Sequence, residues 1–551
     1  MSVELLLAIV AGVIVIVFAN SISRRIGVAG PLILVAIGVG VSLTPAVSAV
    51  SVPPVLILTG VLPPLLFSAA VSAPAIELRR DFGAIGGLSV ALVIVSSLVL
   101  GLFFVWAIPG IEFPFAVALG AILSPTDAVA TSIVRKLGMP RRVVTILEGE
   151  SLLNDATALV LLRTAIVAAA AGFSFLTTLG SFAWAVASAI VVGALAGVLA
   201  LRFRAWTTSA TANTALGLTV PYLAYVPTEA LGGSGLVAAV VAGVVCGQGS
   251  VRWLTPEQRI SDKYTWRTIA FLLEGAVFLI MGLELYGIVQ DNLAAEEGLL
   301  KGIRIAALAF VILIAIRAAY VIPMLRFQAA RAKRSVQSHL DASVHGSKRS
   351  PKRIGRMRAD IDYFDHSPLS WKHNTIIVWA GMRGAVTLAA AQTLPEDAPQ
   401  RDLLIFIAFL VAAGSLLLQG LTLPALARLL KIRAAGGGGL PRAEIREIDG
   451  EVREAARAAL EDESLARADR RGFSEQTYAL PRSRFVTPLD PEEAAVEPEA
   501  LEFELALVGV MRARLHVLGR SGRYSTSALR YVLDELDAYE INLKLHLESE
   551  K

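Results

Sequence analysis

A single cysteine, Cys246, stands in 551 residues. Its isolation excludes a disulfide within the chain and any cysteine-built metal cluster. Charge is scarce as well: Asp, Glu, Lys and Arg make up 17% of residues, against roughly 25% in soluble domains. The six histidines form no cluster with metal-ligand spacing. Neither the phosphate-cradling G-x-x-x-x-G-K-[ST] loop nor the G-x-S-x-G nucleophile elbow occurs, which argues against an ATP-driven pump and a lipase. The first apolar run, Val3 to Ala19, has no basic n-region and no small-residue cleavage pattern. It reads as a retained helix rather than a signal peptide. The basic balance, pI ≈ 9.1, points to topology and anionic headgroups in so apolar a chain, and away from a nucleic-acid partner.

What is abundant is apolar sequence. The chain is 55% hydrophobic, with a mean hydropathy of +0.64. Long apolar runs alternate with short polar ones, and runs of about 18 or more read as membrane spans. We place thirteen: 3–20, 27–45, 53–72, 83–108, 112–134, 145–171, 177–201, 211–228, 234–248, 268–289, 299–325, 374–394 and 402–430. The loops test this map. Arg24 and Arg25 follow the first span, Arg79 and Arg80 the third, and Arg135, Lys136, Arg141 and Arg142 the fifth. Arg202 and Arg204 follow the seventh, and Arg252, Arg259, Lys263 and Arg267 the ninth. A basic loop over 326–372, expected to be mobile, follows the eleventh; it holds Arg331, Lys333, Arg334, Lys348, Arg349, Lys352 and Arg353. The alternate loops carry little basic charge beyond Lys301 and Arg401. Because cytoplasmic loops are rich in Lys and Arg, the pattern places the N-terminus outside and the C-terminus inside.

The expected organisation is a transmembrane domain over 1–432, a linker over 433–441 containing Gly436–Gly439, and a cytoplasmic helical tail over 442–551. Pro481, Pro488, Pro491 and Pro498 divide the tail into two helical parts, Arg442–Arg471 and Glu499–Glu548.

Ionisable residues inside spans are expensive and usually functional. Three segments concentrate them. The sixth span reads Glu148-Gly-Glu150-Ser151-Leu-Leu-Asn154-Asp155. Glu150 with Asn154, and Ser151 with Asp155, are four apart and share a helix face. Ten residues past the span's start, Asp155 lies about 15 Å deep, the middle of a ~30 Å hydrocarbon core. A carboxylate there holds a proton or a bare cation but rarely both, and this exclusion is the physical basis of exchange. In the fifth span, Ser124-Pro125-Thr126-Asp127, proline removes a helical hydrogen bond and frees carbonyls near the midplane. In the twelfth, Gly381-Met-Arg383-Gly384, a permanent cation at the same depth needs a carboxylate partner, for which Glu150 is the first choice. Spans five and twelve run in opposite directions. A repeat relating them is therefore inverted, a transporter architecture with two discontinuous helices crossing at the midplane. Glu274, Arg317 and Arg163 are weaker intramembrane signals, Arg163 reading as a residue that snorkels outward.

At these motifs the chain resembles the monovalent cation:proton antiporter family of bacterial and eukaryotic Na⁺/H⁺ exchangers, over roughly residues 1–432. The resemblance implies that Asp155 is the ion- and proton-binding carboxylate, with Asn154 its helix partner in electroneutral one-for-one exchange. Thr126, Ser151 and Glu150 would line or support the cation site beside Asp127, Na⁺ sitting at Asp155, Thr126 and Ser151, and Arg383 would pair with Glu150. It also implies a core domain moving against a dimerisation domain in a homodimer of the bacterial inner membrane. Many relatives carry a carboxylate at or near Ser68, and often a proline where this chain has Ala128. The expected function is Na⁺/H⁺ antiport, with Li⁺ or K⁺ as further cargo and no cofactor. The alternatives are a K⁺/H⁺ antiporter, or a channel or sensor whose tail reports ion or pH state.

Overall fold

The computed structural model describes residues 3–44, 52–171, 175–294, 298–344, 363, 369–432, 442–462, 465–467, 471–478 and 498–549. The expected Gly436–Gly439 linker, the basic residues Lys348, Arg349, Lys352 and Arg353, and Pro481, Pro488 and Pro491 lie outside the described residues. Among the described residues every element is helical apart from one isolated bridge between Ala466 and Gly472.

In chain order the helices are α1 (Val3–Ile26), α2 (Gly30–Ser42), α3 (Leu56–Ser72), the short α4 (Ala75–Arg80) and α5 (Phe82–Ala107). There follow α6 (Phe113–Leu123), α7 (Val129–Lys136), α8 (Arg141–Ala171), α9 (Phe175–Ala205), α10 (Ala210–Ala230) and α11 (Gly235–Trp253). Then come α12 (Pro256–Leu283), α13 (Leu285–Ala294), α14 (Leu299–Val344), α15 (Trp371–Trp379), α16 (Ala385–Ala391) and α17 (Arg401–Leu429). Among the described residues the tail has three long helices, α18 (Arg442–Glu461), α19 (Pro498–Ser521) and α20 (Thr526–Ser549), and a single helical turn at Glu475–Tyr478. Among the described residues eight helices are long and apolar enough to cross a membrane, and α2, α3 and α6 are shorter apolar helices. The chain is a multi-pass membrane protein.

The helices pack as two groups. In the first, α2 crosses α12, α3 crosses α11, and α9 and α10 flank α11. Small residues let these backbones approach closely, as lipid-embedded helices require. A Cβ on Gly38 would fall 2.5 Å from the carbonyl oxygen of Leu279, and one on Gly243 2.7 Å from that of Phe67. We refer to this group as the scaffold. In the second group, the core, α5 packs on α6, α6 on α8, and α14 on α5, α15 and α17. The most apolar stretch of α17 is 78% buried, that of α1 only 17%. Thus α17 is an internal post, whereas α1 presents Leu7, Ile14 and Phe18 outward, toward lipid.

Two spans are interrupted as the sequence leads one to expect. Residues 124–128 separate α6 from α7, and residues 380–384 separate α15 from α16. Three expectations need revision, the first being that the helical part expected over Arg442–Arg471 ends at Glu461, with Ala466 and Gly472 beyond it in a bridge. The loop after the eleventh span is partly helix, since α14 continues to Val344. The second half of the tail is two helices rather than one stretch: Gly522, at φ +69°, takes the left-handed turn that ends α19, and the Ser525 hydroxyl accepts from the Ala528 amide to start α20. The tail has its own core of Ile448, Val452, Leu515, Leu518, Tyr524 and Val532, and α20 rests on α12 and α4.

Candidate ion-binding site

The site grows from the two breaks. Pro125 stops α6, and the chain turns back into helix at Val129. Each loose end is satisfied by a side chain of suitable charge. At the start of α7 the Val129 amide donates to Asp127 Oδ1 at 2.8 Å, an anion at the positive helix end. At the end of α6 Arg383 Nε donates to the Leu123 carbonyl at 3.0 Å, a cation at the negative end. The breaks also bond directly, the Asp127 amide donating to the Met382 carbonyl at 2.7 Å. Gly384 is indispensable to this crossing: a Cβ there would sit 1.3 Å from Asp127 Oδ2. The Ser124 hydroxyl is held among Ser96, Ser97 and the Gly120 carbonyl, at 2.8, 3.0 and 2.7 Å.

Helix α8 lies against the crossing. Glu150, 1% exposed, receives Arg317 on both carboxylate oxygens, with Nη2 to Oε2 at 2.7 Å and a second bond from Nη1 to Oε1. Thr126 Oγ1 donates to Glu150 Oε1 at 3.0 Å, and Asn154 Nδ2 donates to Thr126 Oγ1 at 2.8 Å. Arg317, Glu150, Thr126 and Asn154 are thus one chain of hydrogen bonds, linking α14, α8 and the first break.

Asp155 stands differently. Among the described residues no cation or hydrogen-bond donor engages it, and the Asp127 carboxylate is close enough to repel it. It is half-buried and lines a cavity of about 860 Å³ with Thr126, Asp127, Thr131 and Ser151 from the core, and Ser68, Phe271 and Glu274 from the scaffold. Arg135 of α7 and Lys263 and Arg267 of α12 line the same cavity; the last two, expected in a loop, lie on helix because α12 already begins at Pro256. Two buried oxygens, Thr131 Oγ1 on the cavity lining and Asn154 Oδ1 behind it, have no donor among the described residues. Carboxylate and neutral oxygens together suit a hard monovalent cation.

The six residues singled out on spans five and six are therefore brought together. Thr126, Asp127, Ser151 and Asp155 reach the cavity, while Glu150 and Asn154 stand behind them as support. One expected contact is not made. Glu150 is paired with Arg317, not Arg383, because the Arg383 side chain turns to the carbonyls of Leu123 and Gly381. Its amide is anchored on Ser415 Oγ at 2.9 Å. Spacing along the helices places both arginines at comparable depth and does not choose between them. Arg163, expected to snorkel outward, is exposed and also bonds Glu229 at 2.6 Å. Thr131, which closes the polar segment of the fifth span and was given no role from the sequence, also lines the cavity, from the first turn of α7; its position four after Asp127 was the available signal.

The sodium/hydrogen exchanger transmembrane family matches residues 11–429 of this chain. The uncharacterised Na⁺/H⁺ exchanger YjcE of Escherichia coli is 30% identical over 93% of both chains. This chain belongs to the sodium/hydrogen exchanger family. The Na⁺/H⁺ antiporter ApNhaP of Aphanothece halophytica is 30% identical over 71% of this chain and 68% of its own. The sodium proton antiporter MjNhaP1 of Methanocaldococcus jannaschii shares the fold, with a TM-score of 0.57 at 16% identity, covering 78% of this exchanger and 99% of that structure. The family match stops at the last residue of α17. The Escherichia coli relative is similar along so much of the chain that the likeness runs into the tail.

Proposed function

We propose that this exchanger is a secondary antiporter that trades Na⁺ for H⁺ across the cell membrane, with Asp155 as the shared binding group. The observation that carries this reading is the contrast at the crossing: Glu150 is neutralised by Arg317, Arg383 and Asp127 cap helix ends, and Asp155 alone of these faces the cavity without such a task. A protonated Asp155 has no net charge with which to hold Na⁺. Deprotonated, it attracts Na⁺ into a nest completed by oxygens of Thr126 and Ser151, with Asp127 adding negative potential. Carrying one or the other across by alternating access exchanges one H⁺ per Na⁺, which is electroneutral. The hydrogen-bonded Arg317–Glu150–Thr126–Asn154 chain keeps the ligands in register as the core moves.

The charge pattern of the loops supports thirteen crossings with the N-terminus outside, so that the cavity lined by Arg135, Lys263 and Arg267 opens to the cytoplasm. The apolar outer face of α1 fits burial in lipid or against a second copy in a homodimer. A broader cation range has a specific support: a Bacillus pumilus relative, 29% identical over 77% of this chain, is named a sodium, potassium, lithium and rubidium/H⁺ antiporter.

The test is proton flux in proteoliposomes of the full chain under a pH gradient, with Na⁺, Li⁺ and K⁺ added in turn. Na⁺ is expected to dissipate the gradient, and Asp155→Asn to abolish this while the protein remains folded. Na⁺-driven flux surviving in Asp155→Asn would remove Asp155 from the mechanism. Repeating the assay at an imposed membrane potential tests electroneutrality: the rate is expected not to change.

A further inference from the structure

The tail is not an appendage hanging free of the membrane domain. Helix α20 lies across its basic face and holds both helix groups. Along its body it grips the scaffold. Arg530 donates to the last carbonyls of α3, those of Ser72, Val71 and Ala73, at 2.6, 3.2 and 3.1 Å. A guanidinium at a helix C-terminus is favourable for the carbonyl dipoles as well as for the bonds. Asp537, 2% exposed, takes Arg259 of α12 in a two-pronged pair, one prong 2.8 Å long, and Lys263 reaches Asp534 at 2.7 Å. At its N-terminal end the same helix grips the core. Glu77, 5% exposed, receives the Thr526 amide at 2.9 Å and the Thr526 hydroxyl at 2.5 Å. Arg141, the first residue of α8, donates to Ser525 Oγ at 3.3 Å. Glu77 belongs to α4, which packs on α8 and α5.

Two consequences follow from this placement. The helix that carries Asp155 is joined through α4 and Arg141 to one end of α20, and the scaffold to the remainder. A rigid helix fastened to two bodies opposes their relative motion. In addition, Arg530, Leu533 and Asp534 line the cavity that leads to Asp155, at the end where Lys263 stands. The tail therefore narrows the mouth of the ion pathway.

We propose that α20 is a cytoplasmic latch of the exchanger: it ties core to scaffold and screens the cavity mouth, and each transport cycle requires its N-terminal end to release Glu77 and Arg141. Release at that end, rather than along the body, is expected because the Thr526 amide, the hydroxyls of Ser525 and Thr526 and the Gly522 carbonyl, which accepts from Arg80, meet the core, whereas the buried Arg259–Asp537 charge pair and the three Arg530 bonds hold the scaffold. A buried pair broken on one side leaves an uncompensated charge, so the scaffold grip is the harder to open. The latch acts as a brake set from the cytoplasm. The inference rests on the antiport reading with relative motion of the two groups.

The experiment uses the full chain in proteoliposomes, in a Cys246→Ala background. Glu77→Cys with Thr526→Cys is joined by a short bis-methanethiosulfonate linker that dithiothreitol cleaves. Linking is expected to lower Na⁺-driven proton flux by about ten-fold or more, and reduction to restore it. Glu257→Cys of α12 with Lys544→Cys of α20, whose side chains pair at 2.9 Å away from the cavity lining, ties α20 to the scaffold alone, and flux is expected to stay within about two-fold on linking, since coupling of that pair to the moving core is absent. Flux unchanged by the core-end link overturns the latch, as does an equal loss from both links. Arg530→Glu supplies an independent measure: repelled from the α3 carbonyls, α20 loosens and flux is expected to rise about three-fold. A monodisperse Arg530→Glu protein with unchanged or lower flux contradicts the brake. Absence of Na⁺-driven flux in the unsubstituted chain is a different failure, that of the antiport reading itself.

Discussion

Arginine meets carboxylate in both the crossing and the tail, with different force. At the crossing Arg317 and Glu150 are 3% and 1% exposed. In the tail, Arg453 and Asp449 are 43% and 42% exposed, and Arg523 and Glu447 are 58% and 48%. The chemistry is the same; the medium is not. Away from water each partner has only the other, and losing one strands a charge. At the surface, water replaces a lost partner and salt screens the pair. The membrane region therefore spends few charges and gives each a single task. The tail's surface pairs are many, and none of these alone is decisive.

The comparison can be broken most severely at Glu150. Glu150→Ala leaves Arg317 buried without its anion and is expected to destabilise the fold by about 3–5 kcal/mol, measured by thermal unfolding in detergent. The double substitution Glu150→Leu with Arg317→Met is the sharper version. Stability should largely return, because two well-packed apolar side chains replace the pair, while Na⁺-driven flux stays lost because the Thr126 hydroxyl no longer has Glu150 as its acceptor. A double variant that still transports would show the pair to be scaffolding only. Next in size is Gly384→Ala. The new methyl meets Asp127, so the breaks must part at a cost of about 1–3 kcal/mol, with flux falling further than stability does. Arg383→Ala frees the carbonyls of Leu123 and Gly381 and is expected to destabilise by about 1–3 kcal/mol, without the larger loss that Glu150→Ala produces. An equal loss would restore Arg383 as the partner of Glu150.

The tail provides the small end of the scale. Arg453→Ala should shift unfolding by less than about 0.5 kcal/mol. Glu451 of α18 accepts from the Tyr524 hydroxyl at 2.9 Å and from Arg514 at 2.6 Å. Partial burial pushes its carboxyl up, but these hydrogen bonds outweigh it and hold the group below the usual carboxylate range. A depressed folded-state pKa stabilises above the unfolded value and is lost as pH falls through the folded one. The contacts of α18 with α19 and α20 should hold at neutral pH and loosen only below about pH 4, read as faster amide exchange in 442–461 at acid pH. Glu451→Gln should flatten that dependence.

Much of the site was legible along the chain. Asp155, Asn154 and Glu150 announce themselves as polar groups in an apolar helix, and Pro125, Gly381 and Gly384 mark the breaks. The tail was legible as helical, yet nothing in its pattern told that Thr526 would bond Glu77, some 449 residues away. Helix periodicity reports which face a residue occupies, not which helix that face meets.

Composition and order by themselves determined that this chain is a bundle of membrane helices with an exposed helical tail, which spans are interrupted, and which residues share a depth. Those are properties of local hydropathy, backbone chemistry and rise per residue. Tertiary structure alone decided that Arg317 rather than Arg383 neutralises Glu150, that Asp155 is left to the cavity, and that α20 spans core and scaffold. The physical reason is the same in each case: charges at equal depth are interchangeable in a one-dimensional count, and only packing fixes which of them lie within hydrogen-bond reach.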